Sequence, residues 1–325
     1  MIKRFLFGLI ALIGAVVVVS CATVQPPTPV VHSPPEPAAV SVPAPAAPVA
    51  VGHARLPEFA PPPYGPDILV VGDSQISFGA GAQHMAFFGD LSGQCGPDDD
   101  QARALDNFGA RTVAALGVRS TALHSWTASE GASKGLVCDP DKKFGVNAGV
   151  YGVDGQAGRR YVQIGEGAPY QFCRPGQSAF QAMFRDGYYR PKLLVLAFLG
   201  NATERWGNTQ SVAGDVAAMM AQIPNGQACI IMTTSPVFEA ATNTARQQAQ
   251  ANLERAVTAD GRCSFVRGLT AATLAQATGN PAFFKTDETG KVSDPLHPNA
   301  AAQERFFASI RPQLCRAVLE QIGPR

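Results

Sequence analysis

The chain contains no C-x-x-C pair and no H-x-x-x-H pair, the short spacings that most often hold zinc. It also lacks any cluster of Lys and Arg, and its formal charge is only +1, which argues against a nucleic-acid surface. No internal repeat is evident, so a solenoid or propeller is not expected. The apolar run Phe5 to Val19 falls short of the ~20 residues that a membrane-crossing helix needs. These absences lead to the expectation of a protein with no metal, no other cofactor and no nucleic-acid partner.

That short run sits behind Lys3 and Arg4 and is closed by Ser20-Cys21, the layout of a bacterial secretion signal over residues 1–20. Val18-Val19-Ser20-Cys21 resembles a lipobox, and the resemblance implies that Cys21 is lipidated and becomes the mature N-terminus. Ala22 rather than Asp follows it, which in a Gram-negative host favours the outer membrane. The expected location is therefore the periplasmic side of the cell envelope, held to the membrane through the lipid on Cys21. Removing Lys3 and Arg4 with the signal takes the formal charge from +1 to −1.

Residues 21–63 form a tether, because Ala22 to Pro63 holds thirteen of the twenty-six prolines and almost no charge. At ~3.1 Å per residue its length would reach roughly 130 Å as polyproline II. A disordered tether is the equal alternative. His32 and His53 lie within it and are not expected to bind anything.

With Cys21 lipidated, six cysteines remain, enough for three disulfides in an oxidising compartment. Cys229 and Cys263 each open an apolar run, so they could bridge the ends of neighbouring strands. Cys95, Cys138 and Cys173 fall in a Gly-rich stretch around 95–177, where a staple would offset a thin core.

Residues 64–325 read as one α/β domain. Ile68 to Val71 is a first strand, Gln101 to Leu116 has helical spacing before a stop at Gly117, and Val118 to Trp126 looks extended. Lys192 to Leu199 is a continuous apolar run of the kind buried on both faces. Val212 to Ile223, Cys229 to Thr233, Thr244 to Ala259, Cys263 to Val266 and Ala300 to Ile322 continue an alternation of helix and strand. Such alternation argues for a parallel sheet wrapped on both faces, with the 95–177 region inserted as loops and a small β-element.

The chemistry is concentrated at two distant points. Gly72-Asp73-Ser74 follows the first strand directly, and Asp294-Pro295-Leu296-His297 stands near the C-terminus. A serine hydroxyl is a weak nucleophile until an imidazole takes its proton and a carboxylate orients that imidazole. A strand ending in a Gly-Asp-Ser turn presents its serine at the carboxyl edge of a sheet, where open α/β sheets place their sites.

On these blocks the chain resembles the SGNH (GDSL-type) hydrolases, esterases and lipases with a flavodoxin-like three-layer α/β/α sandwich. The resemblance covers roughly residues 66 to 322. It implies Ser74 as nucleophile, His297 as base and Asp294 as its carboxylate. It implies an oxyanion hole shared by the Ser74 N–H, a glycine N–H and the Asn201 side chain in Leu199-Gly200-Asn201-Ala202. Gly155 in Gly152-Val153-Asp154-Gly155 is the expected glycine. The third block departs from the family pattern, since glycine adjoins Asn201 directly and Ala202 replaces an acid. The first block ends in Gln75 where leucine is common, which matters little because the nucleophile's role does not depend on that side chain.

Around this centre, Trp206 and His124 are expected to contact substrate, Trp206 by stacking on a sugar ring. Arg205 is expected either to meet an anion or to be solvated. Asp73 is expected to hold the nucleophile turn, and His84 to be a core or surface residue. The function expected is a serine esterase acting on O-acetyl groups of a cell-wall or exported polysaccharide. Lipid or lysophospholipid esters, acyl transfer to a glycan, and a non-catalytic glycan-binding or scaffolding lipoprotein remain open beside it.

Overall fold

The computed structural model describes residues 66–96, 98–110, 112–130, 135–138, 146–152, 172–174, 176–185 and 187–323. Cys21, the signal, the tether with His32 and His53, and Gly155 lie outside the described residues.

Five parallel strands form the centre. β1 (Ile68–Gly72) pairs with β2 (Thr112–Val118) on one side and with β4 (Leu193–Ala197) on the other. β5 (Ala228–Met232) and β6 (Ser264–Val266) extend the sheet beyond β4. β3 (Val146–Gly152) closes the opposite edge, antiparallel to β2. The order β3-β2-β1-β4-β5-β6 reverses direction at β1, whose neighbours are reached by crossovers to either side. Sites in open α/β sheets lie at such a switch point, beyond the carboxyl ends of the strands.

Alternate side chains along the strands supply two cores. Leu69, Val71, Leu116, Leu194 and Leu196 face α4 (Leu123–Thr127), α6 (Thr209–Met220) and α7 (Ala240–Asp260). Ile68, Val70, Val113, Leu193 and Val195 face α1 (Gly81–Gly89), α3 (Asp99–Phe108) and α9 (Ala300–Ile322). The result is a flavodoxin-like three-layer α/β/α sandwich. Burial on both faces explains why β1 and β4 are unbroken apolar runs. The short helices α2 (Leu91–Cys95), α5 (Thr203–Trp206) and α8 (Ala271–Ala277) fill the connections. A hairpin of β7 (Lys285–Thr286) and β8 (Val292–Asp294) precedes the last helix. No described helix is long and apolar enough to cross a membrane.

Two expectations are corrected. The helix expected over Gln101 to Leu116 ends at Phe108, where Gly109 adopts φ 60° as a left-handed cap. Thr112 onward becomes β2, because Val113-Ala114-Ala115-Leu116 is buried on both faces and so shows no period that separates helix from strand. Gly117, expected to stop the helix, lies inside β2, where a Cβ would collide with the Ser77 backbone N–H. The extended reading of Val118 to Trp126 likewise gives way to the helical turn α4.

Three disulfides are present. Cys229–Cys263 ties β5 to the start of β6, joining neighbouring strands as expected. Cys138–Cys173 closes the Gly-rich stretch, and Cys95–Cys315 fastens α2 to α9 across a sequence separation of 220.

Candidate active site

β1 ends at Gly72, against the Ala197 carbonyl of β4, where any side chain would collide with that oxygen and with Ile76. The chain then turns through Asp73 and Ser74 into a wide π-type turn, Ile76–Ala80, in which Gly79 takes φ 127°. The buried Asp73 carboxylate accepts the Gln75 N–H at 2.9 Å and the Leu199 N–H at 3.4 Å. It thereby joins the turn after β1 to the end of β4, the structural role expected of it. Burial raises the Asp73 pKa, opposed by the Gln75 N–H and by the charge of Arg246.

Asp294 ends β8 and begins the loop that carries His297. One of its oxygens accepts the Leu296 and His297 backbone N–H groups at 3.1 and 3.2 Å. Both oxygens lie 2.9–3.0 Å from His297 Nδ1. His297 Nε2 is 2.9 Å from Ser74 Oγ. A carboxylate at Nδ1 fixes the proton there, so Nε2 is left to accept the serine hydroxyl. After His297, Pro298 and the N-cap Asn299, whose side chain accepts the Ala302 N–H at 3.1 Å, start α9.

Gln75 links these two halves. Its Nε2 donates to the carbonyls of Ser235 and Leu296 at 3.2 and 3.1 Å, and its Oε1 accepts from Ser235 Oγ at 2.8 Å. The residue after Ser74 therefore grips the loop that holds His297. Leucine could pack there but could not make these bonds.

Asn201 stands in the turn Gly200–Ala202 just past β4, and its Nδ2 donates to the Thr121 carbonyl at 3.0 Å. That bond fixes the amide and uses one of its two N–H groups. Gly200 is required beneath it, since a Cβ there would lie 2.6 Å from Arg246 Nη2. The turn after β2, Arg119 to Thr121, flanks the same edge, with Ser120 in the left-handed region at φ 57°. Gly155 lies outside the described residues, and this turn is what the described chain brings beside Asn201.

Trp206 is not a stacking platform, which corrects the expectation. Only 1% of it is exposed, and its Nε1 donates to the buried Asp215 at 3.0 Å. Its place soon after Asn201 could not reveal that α5 turns it into the core. Arg205 also binds Asp215, through Nε and Nη2, and His124 Nδ1 lies 3.2 Å from the same carboxylate. His124 lines a cleft that also borders Asn201. His84 is buried, with Nδ1 on the Ala80 carbonyl at 2.8 Å, and burial pushes its pKa down to about 4. It is a neutral core residue, not a rival base. Among the described residues, no group of three or more His, Cys, Asp or Glu side chains is assembled to hold a metal.

The apolar surface at the centre comes from Phe78 and Leu296, 40% and 44% exposed. The Phe78 ring centroid lies 4.2 Å from that of His297, and the Arg119 guanidinium carbon sits over the Phe78 ring, 4.1 Å from its centroid. Nothing in the sequence pattern marked Phe78 or Asp215. Compared with known proteins, the chain matches no family model and no curated protein.

Proposed function

We propose that the protein is a serine ester hydrolase of the SGNH type, anchored in the bacterial envelope and acting on O-acetyl groups of a glycan. The observation that carries the reading is the unbroken chain Ser74 Oγ, His297 Nε2, His297 Nδ1, Asp294 carboxylate, with both links at 2.9–3.0 Å. It stands where the strand order reverses, the place in the fold at which a ligand can reach it.

Ser74 Oγ attacks the ester carbonyl carbon while His297 Nε2 takes its proton. Asp294 stabilises the resulting imidazolium. The carbonyl oxygen becomes an oxyanion, for which the Ser74 N–H and the second N–H of Asn201 Nδ2 are the donors, together with a backbone N–H. On the family resemblance the last is Gly155; the alternative is the Arg119–Thr121 turn, whose Thr121 carbonyl accepts from Asn201. Collapse expels the alcohol, protonated by His297. Water, deprotonated by the same histidine, then attacks the acyl-serine and releases the acid.

The test is hydrolysis of p-nitrophenyl acetate and of a long-chain p-nitrophenyl ester by the oxidised protein and by Ser74→Ala. Acetate turnover should fall at least ~1,000-fold in the variant. Equal rates in both proteins would refute the esterase reading, and preference for the long chain would replace glycan by lipid esters.

A further inference from the structure

Beside Asn201 opens a cleft of about 360 Å³ lined by His124, Ser125, Asn201, Glu204, Arg205 and Asn208. It shares Asn201 with the oxyanion donors proposed above. Its walls carry imidazole, guanidinium, carboxylate, amide and hydroxyl groups, which can pair with the hydroxyls of a ligand, beside the apolar side chain of Ala122. The exposed large apolar side chains are elsewhere, Phe78 against His297 and Leu296 next to it.

The polar wall is built on a buried anion. Asp215, 2% exposed, accepts Arg205 Nε and Nη2 at 2.9 and 2.8 Å and Trp206 Nε1 at 3.0 Å, with His124 Nδ1 at 3.2 Å. Arg205 and His124 are thus held in place before any ligand arrives, and neither Arg205 Nη1 nor His124 Nε2 takes part in these bonds. Donors fixed in advance lose little freedom on binding. Charge narrows the ligand further. Asp215 offsets the Arg205 cation and Glu204 adds a carboxylate, so the wall has no excess positive charge for a phosphate or carboxylate. The volume lies at the small end of the ~300–1,000 Å³ typical of ligand pockets, enough for a sugar-sized unit.

We propose that this cleft is the subsite for the alcohol side of the ester, and that it takes a neutral, hydroxyl-bearing sugar unit through His124, Arg205 and Asn208. The proposal rests on the esterase reading of Ser74, so its test has an arm that does not. In the first arm, kcat/KM is measured for 6-O-acetylglucose and for p-nitrophenyl acetate, which share an acetyl group. His124→Gln should lower the ratio of the two at least ~10-fold, mainly through KM for the sugar ester. Arg205→Lys, which keeps a cation on Asp215, is the second variant and should lower it likewise. An unchanged ratio in both folded variants would overturn the subsite.

In the second arm, saturation-transfer NMR follows 6-O-acetylglucose on Ser74→Ala protein, where no turnover is needed. Transfer to the ring protons that is lost in Ser74→Ala/His124→Gln supports the subsite even if the esterase reading fails. Transfer confined to the acetyl methyl, or unaffected by the second substitution, overturns it.

Discussion

At the scale of single residues, hydrogen bonds at the two ends of the chain do separate jobs. Gln75 makes three of them, one to the Leu296 carbonyl in the loop that carries His297 and two to Ser235, and all are lost in Gln75→Leu. The buried Ser235 hydroxyl loses its acceptor, at a cost of about 1–3 kcal/mol. The loop bearing the base is also released, and an error of about 1 Å in a catalytic group can cost ~100-fold. Gln75→Leu is therefore expected to lower both kcat and the urea midpoint, read by steady-state kinetics beside equilibrium unfolding. His84 gives a prediction in pH. Its folded pKa, about 4, lies below the ordinary 6.5, so between those values the unfolded chain binds a proton that the folded one does not. Stability is thus lost as pH falls from 6.5 towards 4, on the order of 3 kcal/mol from this one group. Urea unfolding across that range should show a shallower decline in His84→Gln.

Ser74, Asp294 and His297, which the fold brings within hydrogen-bond distance of one another, were legible because each falls within a short motif that survives without knowledge of the fold. Trp206 was misread for the opposite reason. Its burial depends on which way one short helix turns, and on Asp215, nine residues further along the chain, being available to its indole N–H.

At the scale of elements, runs with one clear environment were read correctly and the ambiguous one was not. β1, β4 and β5 announce themselves as short apolar runs, and α9 begins directly after His297 with Asn299 as its cap. The apolar residues of β2 carry no period and so read as the end of a helix, and the left-handed Gly109 is what marks the end of α3. Gly117 shows what β2 does for the site. Its missing side chain lets the π-type turn after Ser74 rest on the strand, with the Ser77 N–H where a Cβ would be. Gly117→Ala must push that turn away. It should destabilise the fold by about 1–3 kcal/mol and lower kcat, measurable by thermal unfolding and by ester hydrolysis.

At the scale of the whole molecule, the disulfides hold parts of the chain that the sheet alone leaves at its periphery. Cys95–Cys315 closes a loop of sequence separation 220 and secures the last helix against the first third of the domain. Replacing both cysteines by serine should cost about 2–4 kcal/mol. The check is denaturant unfolding of the double variant beside the oxidised parent. The six cysteines could be counted from the sequence, and the Cys229–Cys263 pair could be foreseen because both open adjacent strands. The partner of Cys95 could not, since nothing local to α2 indicates that α9 returns to lie against it.

Ser74 and His297 meet across a sequence separation of 223, and the latter belongs to a loop seated between the β7–β8 hairpin and the final helix. This sets a clock on the protein. A partly synthesised chain that ends before residue 297 has Ser74 but not the imidazole that faces it, and a cleavage between the two that releases the C-terminal part returns it to that condition. Any reactivity that Ser74 owes to His297 therefore begins only once most of the chain has been made.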